Sequence, residues 1–362
     1  MSYVLAIGGF ILLVILHELG HFGAAKAVGM KVERFSLFFP PLLFKVRRGE
    51  TEYAIGSVPL GGYVRITGMT PQEEIADEDR DRAYYLQPVW KRIFVIAAGP
   101  AVNLVLAVVI VFALFAIKGQ PNDRVIPNVG TISKNSPAST ILKPGDRIVS
   151  ADGVSGPVEK IRAQIASHRC AGEQRDGCTV TDPVKLVVIR DGVRLGLEAR
   201  PKYDAEAKRA LLGFGYDAER YYTDLSVDQA AKRSIETNWR VTKATVSAIA
   251  RIFVSSDARK DVSGVVGSVE VTKQSFDFDV TQAIFVLALI SLSLGIINLF
   301  PFLPLDGGHI FWALAEKLRG RAIPFSVIEK VSVVGFMLVA FLFVVGLTND
   351  IGRLSGEGFN VR

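Results

Sequence analysis

The sequence predicts a polytopic α-helical membrane protein with four transmembrane helices, a membrane-associated β-hairpin region and an inserted β-rich domain. Three observations lead there. Of the 362 residues, 49% are hydrophobic and the mean hydropathy is +0.32, both on the membrane side of ordinary globular chains. The apolar excess gathers into four stretches, residues 3–25, 93–117, 280–305 and 331–349. Each is long enough as a helix to cross a hydrocarbon layer of roughly 30 Å, the last if it begins a little earlier, near Phe325. Between the second and third stretches the pattern changes to short alternating runs broken by Gly, Pro and Asp, as in a compact β-rich unit.

Apart from the phenol of Tyr3, the stretch 3–25 holds no ionisable side chain except His17, Glu18 and His21. Such groups are costly in hydrocarbon and rarely occur there without a partner or a function. In His17-Glu18-Leu19-Gly20-His21 the imidazoles stand four residues apart on one helical face and can reach one cation. Glu18 beside them can then take a proton from the water that cation binds. A catalytic zinc has three protein ligands and one open position, so a third ligand is expected elsewhere. A signal peptide is the competing reading of this stretch, but no Lys or Arg precedes it.

After the first span, an apolar run containing Pro40 and Pro41 and the segment AIGSVPLGGYVRITG (54–68) read as hairpins. Shielded by protein, their edge could pair with an unwound chain by strand addition; a plain cytoplasmic hairpin is the alternative. The acidic stretch 71–82 reads as a solvated loop. In the second span, Gly99-Pro100-Ala101-Val102-Asn103 reads as a helix-packing element with a buried amide. Residues 125–200 form the β-rich unit, with a tight turn at Pro144-Gly145-Asp146 and a helix at 157–166. Apolar residues at helical spacing over 226–253, behind Ser226 as a cap, suggest an exterior amphipathic helix. The glycine-rich 262–276 is expected to be a re-entrant or interfacial loop. Cys170 and Cys178 are the only cysteines, and a disulfide and two free thiols are both open.

Basic residues set the orientation. Lys26, Lys31, Arg34, Lys45, Arg47 and Arg48 follow the first span, Lys91 and Arg92 precede the second, and Lys317, Arg319, Arg321 and Lys330 lie between the last two. Those loops are expected to face the cytoplasm, with both termini and 118–279 outside. The net charge of +6 is then a topology signal, and no nucleic-acid partner is expected.

The third stretch runs into NLFPFLPLDGGH (298–309). Two prolines interrupt the helix and Asp306 follows in apolar surroundings, on the same side of the membrane as the pentad. It is the leading third ligand, with His309 as the rival; His168, in the exterior domain, lies on the wrong side. Two imidazoles and a carboxylate suit zinc better than calcium or magnesium.

The pentad, the GPAVN element and NLFPFLPLDGGH together resemble the site-2 protease family of intramembrane zinc metalloproteases, in its bacterial regulator of sigma-E protease branch. The likeness covers nearly the whole chain. It implies one catalytic Zn(2+) on His17, His21 and Asp306, Glu18 as general base, and Asn298 as a substrate contact or a stabiliser of the reaction. It also implies a re-entrant β segment around Gly61-Gly62-Tyr63 and a PDZ-like domain at 125–200, one where the branch's familiar members carry two. The expected domains are 1–118, the first two spans with the pentad and β region; 119–205, a periplasmic PDZ-like domain; 206–279, a periplasmic amphipathic helix and interfacial loop; and 280–362, the last two spans with the third ligand. The implied activity is cleavage of single-span membrane proteins in or near the transmembrane segment, such as an anti-sigma factor already trimmed outside. The implied setting is a bacterial inner membrane, in contact with lipid, with the active site toward the cytoplasm. Two other readings compete. One is a membrane-anchored PDZ-type binding or quality-control module that captures a chain terminus without its own proteolysis; beside proteolysis, the same domain is also open to a size-exclusion role, blocking substrates whose exterior part remains large. The other is a metal transporter, which four spans and a hydrolase-type Glu18 disfavour.

Overall fold

The computed structural model describes all residues except Pro71, Phe253, Asp261, Ala322, Glu357, Gly358 and 360–362. In chain order the elements are α1 (Ser2–Ala27), β1 (Val32–Arg48), β2 (Thr51–Ile66), α2 (Val89–Lys118), β3 (Gln120–Ile132), β4 (Arg147–Ala151), β5 (Val154–Ser155), α3 (Val158–Ala166), β6 (Val184–Arg190), β7 (Val193–Ala199), β8 (Lys202–Asp204), β9 (Arg209–Leu211), β10 (Phe214–Thr223), α4 (Val227–Ile252), α5 (Ser256–Lys260), α6 (Val265–Phe278), α7 (Val280–Asn298), α8 (Asp306–Arg319) and α9 (Phe325–Ser355). They form two compact units, one of Met1–Ile117 with Leu225–Arg362 and one of Lys118–Asp224.

In the first unit, α1, α2, α7 and α9 are long and apolar enough to cross a membrane, and the protein is a multi-pass membrane protein. A helix is the form such segments take in lipid because it satisfies its own backbone polar groups. Large apolar side chains stay on the outside of α9, among them Val333, Val334, Phe336 and Met337, as lipid rather than water requires. The side chain of Asp279 accepts from the N–H groups of Thr281 and Gln282 and starts α7. That helix stops at Asn298, short of the 305 expected from charge-free length, because Pro301 and Pro304 cannot continue it. A separate helix, α8, then begins at Asp306.

The segment 262–276, expected to be a loop, is mostly helical: α6 runs over Val265–Phe278. Its start is stabilised from a distant part of the chain. The fully buried Asp350 of α9 accepts from the N–H of Gly264 at 3.0 Å, the N–H of Gly267 at 2.7 Å and Ser263 Oγ at 3.0 Å, satisfying donors that a helix N-terminus leaves unpaired. The amphipathic helix expected over 226–253 is α4. It buries Ala230, Ser234, Thr237 and Asn238 and leaves Ile235 and Trp239 exposed; Phe253 lies outside the described residues.

The hairpin region is wider than two ribbons. Residues 34–37 of β1 pair with 62–65 of β2 on one edge and with 52–55 on the other, while 44–48 pair with 51–55. Both strands therefore fold back on themselves around register shifts, and 62–66 forms an outer edge. The acidic stretch 71–82, of which Pro71 is not described, is tied to this sheet: Lys31 Nζ donates to Asp79 at 2.6 Å and Arg82 grips Glu50 at 2.6 and 2.8 Å. Arg82 and Lys26, both bonded to the Glu50 carboxyl, lower its pKa to about 2.

The second unit is a sheet in the order β10-β3-β4-β6-β7, with β5 on β4, covered by α3. Val184, Leu186 and Val188 of β6 alternate into the core and meet Ile161 and Ile165 of α3, the period-2 and period-3.6 patterns of a sheet packed on a helix. β10 pairs with β3 along its length, from Phe214 with Ile132 to Thr223 with Gln120. The compact unit thus runs to Asp224, beyond the expected boundary at 205. Cys170 and Cys178 are joined as a disulfide.

Asp146, expected in a turn, is a buried anchor. It accepts from Arg190 Nε at 2.8 Å, Arg190 Nη2 at 2.7 Å and the N–H of Lys143 at 2.8 Å. The guanidinium beside it holds its carboxyl below the usual carboxylate range. A pKa lower in the folded than in the unfolded state contributes stability above about pH 4, and that stability is lost as pH falls through the folded value. Asp146→Asn should therefore lower this unit's thermal midpoint by about 5 °C or more at pH 7. The gap to the parent should close on acidification below about pH 4. Hydrogen exchange of the β4 amides in the full chain checks both.

Candidate active site

Helix α1 brings His17 and His21 to one face, one turn apart and buried, with exposures of 8% and 7%. Their Nε2 atoms are 3.2 Å apart. Asp306, the first residue of α8, places Oδ2 at 3.2 Å from His17 Nε2 and 3.3 Å from His21 Nε2. Among the described residues these three form the one group of His, Cys and acidic side chains in position to hold a metal ion, with their ligand atoms within 4.8 Å of one another.

The hydrogen bonding fits a cation. His21 Nδ1 lies 2.9 Å from the carbonyl of Val95; a carbonyl only accepts, so Nδ1 carries the proton and Nε2 presents a lone pair. Among the described residues, Asp306 Oδ2 has no hydrogen-bond partner and is buried, as is His17 Nδ1. The short distances to Asp306 are thus proximity without satisfied hydrogen bonding. Three electron-rich atoms converge, an arrangement that is unfavourable empty and favourable around a divalent ion of zinc type.

Two glycines make room. A Cβ on Gly99 of α2 would stand 2.2 Å from His21 Nε2, and one on Gly20 of α1 would stand 2.7 Å from the Ala98 carbonyl, so α1 and α2 touch backbone to backbone beside the ligands. Gly62 of β2 faces Glu18: an added Cβ would lie 2.7 Å from Glu18 Cγ. The Glu18 side chain is therefore packed against the outer ribbon of the sheet. It is not one of the clustered ligands.

Asp306 is set by the loop that the prolines create. A Cβ on Gly307 would be 2.2 Å from the Leu299 carbonyl and one on Gly308 2.5 Å from the Leu303 nitrogen, so the start of α8 is pressed onto the end of α7. Asn298 is the last residue of α7, next to that contact, and half-buried. His309, one turn along α8, lies outside the ligand group. His168, in the second unit, sits 3.4 Å from Asp152 and 3.2 Å from the Gln164 carbonyl, a local structural contact. The resemblance places the segment around Gly61-Gly62-Tyr63 near the site, and Gly62 does face Glu18; sequence reasoning missed Gly99 and the Val95 carbonyl as parts of the site. The one signal was the GPAVN element, whose glycine reads as general helix packing.

Residues 5–342 match the model of Peptidase family M50. A Clostridium acetobutylicum protein, provisionally named a zinc metalloprotease, is 30% identical over 352 residues, covering 97% of each chain. A Campylobacter jejuni protein named in the same provisional way is 30% identical over 359 residues, covering 95% of this chain and 92% of its own. Zinc metalloprotease Rip1 of Mycobacterium tuberculosis is 31% identical over 383 residues, covering 90% and 92%. Four helices of membrane-crossing length together with a His, His, Asp cluster on α1 and α8 define a membrane metalloprotease. The chain belongs to peptidase family M50 and is a zinc-dependent protease.

Proposed function

We propose that this protein hydrolyses peptide bonds within or near the transmembrane segment of single-span membrane proteins, with His17, His21 and Asp306 holding one zinc ion and Glu18 acting as general base. The convergence of three ligand atoms on membrane-embedded α1 and the start of α8 carries this reading. Zinc bound there supplies Lewis acidity, polarising a scissile carbonyl and acidifying water. Glu18, one residue from His17 and packed against Gly62, takes the proton from the attacking water and returns it to the leaving amine. Asn298, at the end of α7 beside the Asp306 loop, is assigned to hold the substrate backbone or donate to the developing oxyanion.

A helical substrate hides its amides and must unwind first. The outer ribbon 62–66, with Gly62 against Glu18, has strand partners on one edge only, and an extended segment added to the other edge would lie beside the general base. The basic loops support an active site toward the cytoplasm, with the termini and the second unit periplasmic in a bacterial inner membrane. A membrane-anchored anti-sigma factor, already trimmed outside, is the substrate this arrangement suits.

The second unit supports an accessory role. β10 is the end strand of its sheet, and a cavity of about 390 Å³ beside it is lined by Arg162 and Ile165 of α3 and by Leu212, Phe214 and Tyr216. A groove between a free strand edge and a helix is what a PDZ-like domain uses to bind a chain terminus. This is proposed as a partner to proteolysis and not a replacement for it.

Detergent-purified protein mixed with a tagged single-span substrate tests the reading, with zinc assayed in parallel. The parent should cut, and Asp306→Asn should lose both zinc and cleavage. Undiminished zinc and cleavage in that variant would remove Asp306 from the ligand set.

A further inference from the structure

Arg92 is the least expected charge in the molecule. It is 4% exposed, and it donates through Nη1 and Nη2 to Glu316 Oε2 and Oε1 at 3.0 and 2.7 Å. Its guanidinium also lies 5.6 Å from the Tyr85 ring centroid, and its Nε has no hydrogen-bond partner among the described residues. An ion pair whose guanidinium is buried while its carboxylate, on Glu316, is only partly buried is a weak source of stability, since desolvation offsets much of the attraction. What such a pair supplies is geometry: a planar bidentate fork fixes the angle between the two elements that carry it.

Those elements are the ones the ligands depend on. Arg92, Val95 and Gly99 recur at i, i+3 and i+7, on one face of α2. Val95 accepts from His21, and Gly99 admits the His21 ring. Glu316 is on α8, whose first residue is Asp306, and Ile310 of α8 packs on the cluster containing Val95 and Ile96. One helical face therefore holds the histidine ligand at one level and grips the helix of the carboxylate ligand at another. Turning α8 by about 20° about its axis would carry a carboxylate roughly 5 Å from that axis through about 2 Å. A metal–ligand distance tolerates only about 0.2 Å.

We propose that the Arg92–Glu316 pair is the positioning device that locks the rotation of α8, and so sets the Asp306 carboxylate against His17 and His21. The proposal rests on the ligand assignment above. Arg92 and Glu316 are positioning residues, outside the ligand group itself.

Arg92→Lys keeps the charge and loses the fork; Glu316→Gln keeps the shape and loses the charge; R92E combined with E316R restores a pair with the donors exchanged. Each is purified in detergent, checked for monodispersity, and measured for zinc affinity, for the visible absorption of the cobalt(II)-substituted protein, and for kcat and KM. Both single variants should bind zinc about tenfold or more weakly, shift the cobalt bands, and lose kcat with KM held within about twofold. The double variant should recover a substantial part of each. Parental zinc affinity and cobalt spectra in both single variants, whatever their thermal midpoints, would overturn the proposal, because a merely structural pair would change stability alone. A parent that binds no zinc would instead sink the ligand assignment and this inference with it.

Discussion

Glu18→Gln is expected to abolish cleavage of a single-span substrate while the purified protein keeps its full zinc content. The side chain is beside the ligand cluster without being part of it, so the amide leaves the three ligand atoms in place. Glutamine also fits the space over Gly62 that the carboxylate occupies. What it cannot do is accept a proton. Loss of a positioned general base costs about 10²–10⁴ in rate. Single-turnover cleavage on metal-loaded protein reads this directly. Cleavage within about tenfold of the parent would assign the proton transfer to another group.

Gly99→Ala is expected to lose metal and cleavage together. The new methyl would sit 2.2 Å from His21 Nε2, 2.6 Å from Cε1 and 2.8 Å from Cδ2, so it collides with the ligand atom itself. The ring cannot swing aside and keep its 2.9 Å bond to the Val95 carbonyl, nor can the helices part cheaply where Gly20 meets Ala98. Zinc affinity should fall about 100-fold, the upper end of the range for disturbing a ligand's orienting contacts. Gly23→Ala is the matched control: it is in α1, nothing lies within 4 Å of its added Cβ, and the change slightly favours the helix. Equal metal affinity in the two variants would refute the crowding argument.

The contrast between these glycines shows what was legible in the chain. That His17 and His21 share a face was readable because a four-residue spacing on a helix is a local fact, and that Asp306 joins them because a carboxylate behind two prolines in an apolar run has few other uses. The four spans followed from length and lack of charge, and α4 from its periodicity. The rest depended on contacts between distant residues. Gly99 looks like any packing glycine until His21 is placed over it. Residues 262–276 look like a loop until Asp350, far along the chain, supplies acceptors for the Gly264 and Gly267 amides. The 280–305 run hides the end of α7, because counting charges is blind to a proline-bounded loop held inside the protein. The double register of β1 and β2 follows from how the two strands turn back, which alternation alone does not encode.

The chain order of the ligands has a consequence for how the protein is made. His17 and His21 belong to the first helix synthesised, and Asp306 arrives only after the intervening unit and the third span have been produced. A nascent chain therefore carries two imidazoles that cannot form the complete ligand set. On the proposed ligand assignment, the three groups can meet on one ion only after translation has passed the third span, so the order of the chain itself delays completion of the site.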